Sequence, residues 1–363
     1  MRPKIKDGVS VIFKPLRGES GYELSFLMNA TGSVYSFNIN EQGLRAVKMF
    51  NGKHTITSIS KDAGVTAEGI TALTGILADK GLLEIQNSCY TANTVVANTP
   101  QLNFFSGFEK EPGEGLQFQS RLETAKVGII GIGGIGSWVL KGLLHLGVKK
   151  FVIADPDRVE ASNLNRQCLY RENDVGSKKL TSLKNNLDLQ ACDLKIEGVS
   201  KKILTTSQCD RIFKDIDLLI NCADEPSTDK INRIVTASCY PRRIPHILCG
   251  GYDGHLGFVG PTIIPDTSPC WYCCEASIND LVRKSNYKHM LVTDSDKVGS
   301  SIAPICAIIA NFHVMEAMKV LTGIVKPTMI DQMLEIDFLT YGQFPKKLIK
   351  RASCNLCNKK GAK

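Results

Sequence analysis

Several features that would assign this chain to other classes of protein are missing from its 363 residues. No apolar run approaches the roughly 18 residues that a membrane span needs. The first ten residues, MRPKIKDGVS, lack the apolar core of a signal peptide. The basic residues near the C-terminus are not interleaved with aromatic side chains that could stack on nucleic-acid bases. We therefore expect a cytoplasmic protein that binds neither membrane nor nucleic acid.

The rest of the composition is that of an ordinary globular protein. The chain has 43% hydrophobic and 22% charged residues, with a formal net charge of +8. Its length allows one large α/β domain and a smaller one. Much of the positive charge lies near the tail, which we interpret as a solvated surface that would attract ATP or an acidic peptide weakly.

Thirteen cysteines are scattered through the chain without a secretion signal, which favours reduced thiols and a metal site over a disulfide framework. Two CxxC pairs, Cys270 with Cys273 and Cys354 with Cys357, lie 84 residues apart. Together they can hold Zn²⁺ in a closed Cys₄ site, whose role is structural because no position stays open for substrate. A redox CxxC is the competing interpretation, which two matched pairs disfavour. Cys274 is not a predicted ligand.

The stretch Lys126–Asp157 predicts a nucleotide-binding fold. An apolar run, Val127–Ile130, has the length of a buried parallel strand, and a glycine turn and a helix-like segment, Ser137–Leu146, follow it. A second apolar run ends on Asp155, where a carboxylate can accept hydrogen bonds from ribose hydroxyls. The glycines that permit the turn and let backbone N–H groups approach a phosphate are Gly131, Gly133, Gly134 and Gly136. A purely structural glycine turn is the alternative.

The next segment distinguishes ATP from NAD, the default rival for such a turn. GxGGxG is followed by Asp155 and Asp157, by the segment Ser162-Asn163-Leu164-Asn165-Arg166-Gln167, and by Val175 to Lys179. An apolar strand then ends at Asp224. This order of motifs, from about residue 101 to the C-terminus, resembles the ubiquitin-activating superfamily of ThiF-type adenylating enzymes. The resemblance implies an α/β fold with a Rossmann-like adenylation domain, and it disfavours an NAD-dependent dehydrogenase.

The resemblance also implies roles for individual residues. Asp155 anchors the ribose and Asp224 holds Mg²⁺, while catalytic roles fall to Arg166, Lys179 and Asp224. The positions matched to nucleotide contacts are Gly131, Gly133, Gly134, Gly136, Asp155, Asp157, Asn163 and Gln167. Those matched to contacts with the phosphates are Asn163, Arg166, Gln167 and Lys179. Cationic donors suit a phosphate that gains charge, and a hard carboxylate suits Mg²⁺. Without the motif order, Arg166 would be read as a surface ion pair and Asp224 as a helix N-cap.

Two absences qualify the resemblance. Some members place an arginine from the partner subunit on the phosphates, yet no arginine lies between Tyr90 and Ser120. Residues 276–300 correspond to the crossover loop, which covers the bound substrate tail in the family and which we expect to be polar and irregular. Members that pass the acyl group to a thiol carry a cysteine there. This loop has none, so a thioester step is disfavoured, and Cys306 just beyond it is expected to be buried and structural.

Residues 1–90 form a separate predicted unit. Strands are expected at Val9–Pro15 and Ser33–Ile39, helices at Glu41–Phe50, Ile56–Asp62 and Ala67–Lys80, and a closing strand at Gly81–Ile85. This order resembles the winged-helix peptide clamps that bind the leader of a precursor peptide; a structural or dimerising winged helix is the alternative. Residues 91–120 are expected to be a linker and surface loop, and residues 121–363 the adenylation domain with its zinc knuckle.

A leader clamp joined to an adenylating domain most resembles the peptide-maturing branch of the superfamily. We expect ATP- and Mg²⁺-dependent activation of a carboxylate in a short ribosomal peptide, with a homodimer as the assembly. Glutamate side chains, with dehydration and cyclisation as in pantocin A maturation, are slightly preferred. The alternatives are adenylation of a peptide C-terminus as in microcin C maturation, activation of a sulfur-carrier protein, a dehydrogenase, or a peptide-binding scaffold with a degenerate nucleotide site.

Overall fold

The computed structural model describes residues 1–17, 20–85, 92–111, 113–187, 193–284 and 301–358. The chain divides into two compact units, Met1–Ser120 and Arg121–Lys363. The elements of the first unit, the last of which crosses the boundary, are β1 (Pro3–Ile5), β2 (Val9–Pro15), β3 (Tyr22–Met28), β4 (Val34–Ile39), α1 (Glu41–Lys48), α2 (Ile56–Ala63), α3 (Ala67–Asp79), β5 (Leu83–Ile85), α4 (Ala92–Ser106) and α5 (Glu114–Thr124).

The first unit has a winged-helix-like arrangement of an antiparallel sheet and three short helices. The sheet has the order β2-β3-β4, and β1 pairs with β5. Each of the three helices begins at a residue whose side chain accepts a hydrogen bond from a first-turn backbone N–H: Asn40, Thr55 and Thr66. Their apolar faces cover one side of the sheet in a core that includes Phe26, Leu44 and Ile70. Local capping and apolar spacing therefore explain why the predicted helices of this unit form.

The interpretation of residues 91–120 as linker and surface loop is wrong for most of the segment. Helices α4 and α5 occupy it, with a loop between them. Buried Leu102, Phe105 and Phe118 hold these helices in place, and Glu109 in the loop forms a buried 2.8 Å ion pair with Lys6. Glycine, proline, threonine and asparagine led to the loop prediction, and tertiary burial of the aromatic side chains overrides that local preference.

The second unit is built on a six-stranded sheet. Its elements are β6 (Lys126–Ile130), α6 (Gly134–His145), β7 (Lys150–Ala154), α7 (Lys179–Asn186), β8 (Lys195–Val199), α8 (Thr206–Ile212), β9 (Leu218–Asn221), α9 (Thr228–Cys239), β10 (His246–Leu248), β11 (Gly251–Asp253), β12 (Leu256–Val259), β13 (Thr262–Ile263), α10 (Trp271–Lys284), α11 (Ala303–Thr322), β14 (Gln332–Asp337) and β15 (Gly342–Lys347).

The order of the large sheet is β13-β10-β9-β6-β7-β8, and every pairing is parallel except that of β13 with β10. The apolar runs of β6, β7 and β9 lie in the middle, buried on both faces, as parallel strands require. Their carboxyl ends lie along one edge, where open α/β sheets bind ligands. The predicted α/β class with a Rossmann-like domain is confirmed.

A second, antiparallel sheet has the order β11-β12-β14-β15. Residues 257–264 form two strands in different sheets: β12 pairs with β14, whereas β13 pairs with β10. The break falls at Gly260, whose φ of +86° is in the left-handed region, and at the Gly260–Pro261 cis peptide. A left-handed residue and a proline cannot both continue one ladder, so the chain changes sheet here.

The prediction of an irregular segment at residues 276–300 is wrong at its start, because α10 continues to Lys284; residues 285–300 lie outside the described part of the chain. The helix α11 is long and apolar enough to cross a membrane by length and composition alone. More than half of its most apolar stretch is buried, however, and it packs on α6. A core helix has these same properties.

Candidate functional site

A cavity of about 750 Å³ opens at the carboxyl edge of the parallel strands. Segments that follow β6, β7, β8, β9 and β10 all contribute side chains to its wall, as does Ser301 just before α11. All the predicted nucleotide contacts except Gly136, together with the three predicted catalytic residues, line it: Gly131, Gly133, Gly134, Asp155, Asp157, Asn163, Arg166, Gln167, Lys179 and Asp224. The fold therefore brings the predicted site residues to one place.

The glycine turn at the floor of the cavity depends on one left-handed residue and one close approach. Gly131 has φ +83°, which favours glycine. A Cβ on Gly136, in the first turn of α6, would lie 2.0 Å from the Gly131 carbonyl oxygen, so Gly136 supports the turn from below without lining the cavity. Gly133 is the N-cap of α6 and supplies no side-chain cap to the helix. The first-turn N–H groups of such a helix are suited to an anionic phosphate.

Asp155 is nearly buried and holds the glycine turn. Its Oδ2 accepts a 2.8 Å hydrogen bond from the Ile132 N–H, and its Oδ1 accepts a 2.9 Å bond from the Asp157 N–H. Burial raises the pKa of Asp155, against the opposing effect of the Lys179 ammonium. Since each carboxylate oxygen has a second lone pair, a ribose hydroxyl can still donate to it. Its contact with ribose stays a prediction.

Lys179 and Asp157 form an ion pair on the cavity wall. The Lys179 Nζ lies 2.8 Å from Asp157 Oδ2 and 3.9 Å from Asp155 Oδ2. Lys179 is almost completely buried, because the first turn of α7 carries its stem beneath the 155–160 segment. Its charge is thereby held between two carboxylates that both belong to the site.

The segment around Asn163 is a short 3₁₀-helix that presents three polar side chains. Asn163 Oδ1 accepts a hydrogen bond from the Glu160 N–H, and Arg166 Nη1 donates to the Ser162 carbonyl at 2.7 Å and to Asn165 Oδ1 at 3.0 Å. The Gln167 Oε1 atom is buried and has no hydrogen-bond partner within the described residues. An acceptor without a partner at a cavity wall fits a ligand donor such as a ribose hydroxyl or an adenine amino group.

Three further charged side chains lie at the rim of the cavity. Asp224 lines the cavity just beyond β9, and its carboxylate is of the type that Mg²⁺ accepts. Lys202, after β8, forms an ion pair with Glu225. Neither Lys202 nor Glu225 was predicted from the sequence, and the same holds for three other residues that line the cavity: Lys201, Glu160 and Tyr252. Their position after parallel strands was the one available signal.

The four predicted zinc ligands come together in the second unit. The Sγ atoms of Cys270, Cys273, Cys354 and Cys357 all lie within 4.8 Å of one another, and the two pairs Cys270–Cys354 and Cys273–Cys357 are 3.5 Å apart. A tetrahedral Zn²⁺ with Zn–S bonds of about 2.3 Å needs thiolates about 3.8 Å apart, which this cluster fits. The Arg351 N–H also donates to Cys273 Sγ at 3.3 Å, as expected of a ligand thiolate.

Cys274 and Cys306 stay outside the cysteine cluster. Cys274 is buried, and its Sγ faces the Pro269 carbonyl at 3.9 Å. Cys306 is fully buried in the first turn of α11, where the sequence analysis expected a structural cysteine.

Comparison with known proteins identifies the relatives of this chain. Residues 100–358 match the model of the ThiF family. An adenylyltransferase and sulfurtransferase, uba4, of Neosartorya fischeri is 30% identical over 256 residues, which are 68% of this chain and 48% of that protein. The chain thus spans about half the length of that relative. The sulfur carrier protein adenylyltransferase of Thermus thermophilus is 29% identical over 249 residues, covering 68% of this chain and 87% of that protein.

Two solved structures share the fold across both units. The crystal structure of E. coli MccB with ATP superposes with a TM-score of 0.75 at 19% identity, covering 98% of this chain and 100% of MccB. The crystal structure of PaaA gives a TM-score of 0.73 at 21% identity, covering 94% of this chain and 99% of PaaA. At these identities the likeness concerns the fold.

Proposed function

Because the chain belongs to the ThiF family, we propose that it uses ATP and Mg²⁺ to adenylate a carboxylate of a short, ribosomally made precursor peptide. The proposed pathway is the biosynthesis of a peptide antibiotic. A carboxylate oxygen attacks the α-phosphorus, the bond to the β-phosphate oxygen breaks, and pyrophosphate leaves with the electron pair. The observation that carries the proposal is the cavity that joins the glycine turn to Arg166, Lys179 and Asp224. This family membership sets aside the dehydrogenase alternative.

The cationic groups of the cavity neutralise the charge that develops on the phosphates. Arg166 is held at the wall by its bonds to Ser162 and Asn165, so its guanidinium is oriented before ATP binds. Lys179 would exchange part of its interaction with Asp157 for an α-phosphate oxygen. Both groups would stabilise negative charge on the oxygens of the attacked α-phosphate and of the leaving pyrophosphate.

Hydrogen-bond acceptors, rather than cationic groups, would hold the adenosine. Asp155 accepts from a ribose hydroxyl, and the unpaired Gln167 Oε1 accepts a second hydrogen bond from the nucleoside. Asp224 would hold Mg²⁺, which would supply positive charge beside the phosphates. This chain has no arginine between Tyr90 and Ser120 to contact the phosphates. Lys202, which also lies at the rim of the cavity, is a candidate to supply that positive charge.

The first unit offers a surface for the leader of the peptide. The strand β4 pairs with β3 and has no second partner strand among the described residues. Its Tyr35 and Phe37 are half-buried, and Lys80, at the C-terminus of α3, places its ammonium 5.9 Å from the centroid of the Tyr35 ring. Ile76 of α3 is 49% exposed. An extended leader peptide would add as a strand beside β4 and rest on α3.

The acceptor carboxylate is proposed to be a glutamate side chain, whose activation leads to dehydration and cyclisation. The absence of cysteine from residues 276–300 supports an adenylate that is not passed to a thiol there. Adenylation of a peptide C-terminus and activation of a sulfur-carrier protein are outcomes that the experiment below separates. We further propose a cytoplasmic homodimer; a monomeric mass in solution would refute that assembly.

The decisive experiment mixes the protein with Mg·ATP and short peptides encoded beside its gene, followed by mass spectrometry and nucleotide analysis. AMP, pyrophosphate and a peptide that has lost water support glutamate activation. A peptide joined to the nucleotide indicates C-terminal adenylation. Unchanged ATP with every peptide, accompanied by adenylation of a sulfur-carrier protein, would replace the peptide proposal.

Variants of the cavity test the mechanism in the same assay. Arg166→Ala and Asp224→Asn should abolish AMP formation and keep the fold. Arg211→Ala and Asp215→Asn, at exposed positions outside the cavity, serve as matched controls. Full turnover by both cavity variants would refute the mechanism.

A similar pair tests the leader surface. Ile76→Lys should weaken peptide binding, measured by fluorescence anisotropy of a labelled peptide. Ile12→Lys, the same change at an isoleucine that is 59% exposed on β2, the opposite edge strand of the sheet, should not. Equal losses in both variants would argue against a strand added beside β4.

A further inference from the structure

Two thiols lie side by side in the wall of the cavity without a role in the proposed reaction. Cys222 follows β9 and Cys249 follows β10, and the two strands are parallel neighbours with Leu248 paired to Asn221. The Sγ atoms of the two cysteines are 3.5 Å apart. Both residues line the cavity.

The backbone around the two cysteines is held by the sheet. The Cys249 N–H donates to the Asn221 carbonyl at 2.9 Å, and the Cys222 N–H donates to the Ile130 carbonyl at 2.8 Å. Neighbouring strands lie about 4.8 Å apart, within the Cα separation of about 4.4–6.8 Å that disulfides span. A disulfide can therefore form here while β9 and β10 stay paired, through movement of the two side chains and of the backbone just beyond the two strands.

The two sulfurs differ in access. Cys222 is partly exposed, whereas Cys249 is only 8% exposed. An oxidant that enters the cavity therefore meets Cys222 first, and Cys249 is placed behind it as the second thiol. This is the arrangement of an oxidised cysteine beside a resolving cysteine.

We propose that Cys222 and Cys249 form an oxidation site at which hydrogen peroxide produces an intramolecular disulfide, and that the disulfide form binds ATP less tightly. In the first step the Cys222 sulfur attacks the peroxide O–O bond, giving a sulfenic acid and one water. In the second, the Cys249 sulfur attacks the sulfenic sulfur, and the hydroxyl leaves with a proton as a second water. Two thiols are oxidised and one peroxide is reduced.

The effect on ATP, which rests on the proposed function, follows from what each cysteine touches. A Cβ on Gly136 would lie 3.2 Å from the Cys222 Cβ, and a Cβ on Gly131 would lie 3.2 Å from the Cys222 carbonyl carbon. Cys222 thus supports the glycine turn from below, and Asp224 follows it by two residues. Disulfide formation shortens the distance between the two Sγ atoms from 3.5 Å to about 2.05 Å and so moves Cys222. Because the glycine turn and Asp224 both depend on the position of Cys222, the groups that bind the phosphates lose their alignment.

The test uses reduced, zinc-loaded protein and a peroxide dose that leaves zinc bound, as followed with a chromogenic chelator. Peptide mapping by mass spectrometry should find a cross-linked peptide that contains Cys222 and Cys249 and that dithiothreitol cleaves. Isothermal titration should give an ATP dissociation constant raised at least about tenfold in the oxidised protein and restored by dithiothreitol.

Two variants are matched to this measurement. Cys222→Ala removes the thiol that peroxide reaches first and should show no cross-link and an ATP affinity that peroxide does not change, relative to its own reduced form. Cys168→Ala removes a partly exposed cysteine outside the cavity and should retain both effects.

Absence of the cross-link from wild-type protein would overturn the oxidation site, and a cross-link with unchanged affinity would overturn its effect on ATP. Failure of the reduced protein to bind ATP would instead refute the proposed function. The cross-link itself would still decide the oxidation site.

Discussion

The ammonium of Lys179 lies 2.8 Å from the Asp157 carboxylate, in an ion pair with one buried and one exposed partner. The Lys179 side chain is 6% exposed, whereas that of Asp157 is 53% exposed. Burial fixes the cation in the cavity wall, and the exposed carboxylate can yield its place to a phosphate. Under the proposed function, positive charge is therefore positioned before ATP binds.

Replacement of Lys179 by methionine should remove the buried positive charge with little change in side-chain volume. We expect Lys179→Met to lower the rate of ATP–pyrophosphate exchange by about 100- to 1,000-fold, the effect of removing one well-aligned electrostatic donor. Lys178→Met, the same change at the exposed neighbouring residue, is the control and should stay close to wild type. Comparable losses in both variants would show that the position of Lys179 has no special part in the reaction.

Two glycine-to-alanine changes should have opposite effects on stability. Gly136→Ala places a Cβ 2.0 Å from the Gly131 carbonyl oxygen, so the turn must deform. Gly75 lies inside α3 with nothing within 4 Å of a Cβ, and Gly75→Ala should raise the free energy of unfolding by about 0.4–1 kcal/mol. Thermal melts and ATP titration check both. A Gly136→Ala protein that bound ATP normally would contradict the close packing of the turn.

The cysteine cluster predicts one bound zinc per chain. Cys354→Ser should lose the metal and lower the melting temperature, because the site ties residues 354–357 to the start of α10. Cys274→Ser, beside a ligand but outside the cluster, should retain the metal. Metal content by atomic emission and thermal melts give the two readouts; full zinc occupancy in Cys354→Ser would refute the assignment.

Three buried groups make the fold sensitive to acid. Burial lowers the pKa of His246 and of His313 from 6.5 to about 4. Burial by itself would raise the pKa of Glu316, but the Lys319 ammonium and the N–H groups of Met329 and Thr328 lower it below its usual value. All three pKa values are lower in the folded chain, so the unfolded chain binds more protons in acid and stability falls with the pH.

The histidine part of this loss falls between pH 6.5 and about 4, where the unfolded chain takes up protons that folded His246 and His313 do not. We expect the melting temperature to drop by several degrees from pH 7 to pH 5. His313→Gln, which can still accept from the Gly260 N–H, should make the drop smaller, whereas His145→Gln on the exposed face of α6 should not. A drop of the same size in His313→Gln would contradict the prediction.

Short-range patterns were sufficient for the glycine turn, the strands on either side of it and the zinc ligands. Lys126 to Asp155 forms one strand–turn–helix–strand unit whose geometry depends on neighbours in the chain, so its residues carry the pattern themselves. The cysteine cluster was predictable because each CxxC pair brings two thiolates together by local geometry alone. Two such pairs supply the four ligands of a tetrahedral metal site. The helices of the first unit were predictable from their caps at Asn40, Thr55 and Thr66.

Other features were decided by residues that are distant in sequence. Helices α4 and α5 form because Phe105 and Phe118 are buried in a hydrophobic core. This burial outweighs the preference of neighbouring residues for turns. Lys202 and Glu225 reach one rim because β8 and β9 end at the same edge of the sheet. Asp155, a predicted ribose contact, also holds the glycine turn in place through the two hydrogen bonds that its carboxylate accepts.

By itself, the sequence determined the α/β class, the glycine turn and the four clustered cysteines, because each is specified by residues within one structural unit or by a repeated short spacing. Tertiary structure alone decided which side chains share the cavity, which of them are buried, and that Cys222 meets Cys249 across two strands. Those relationships depend on strand order and on desolvation, which arise only when distant segments pack.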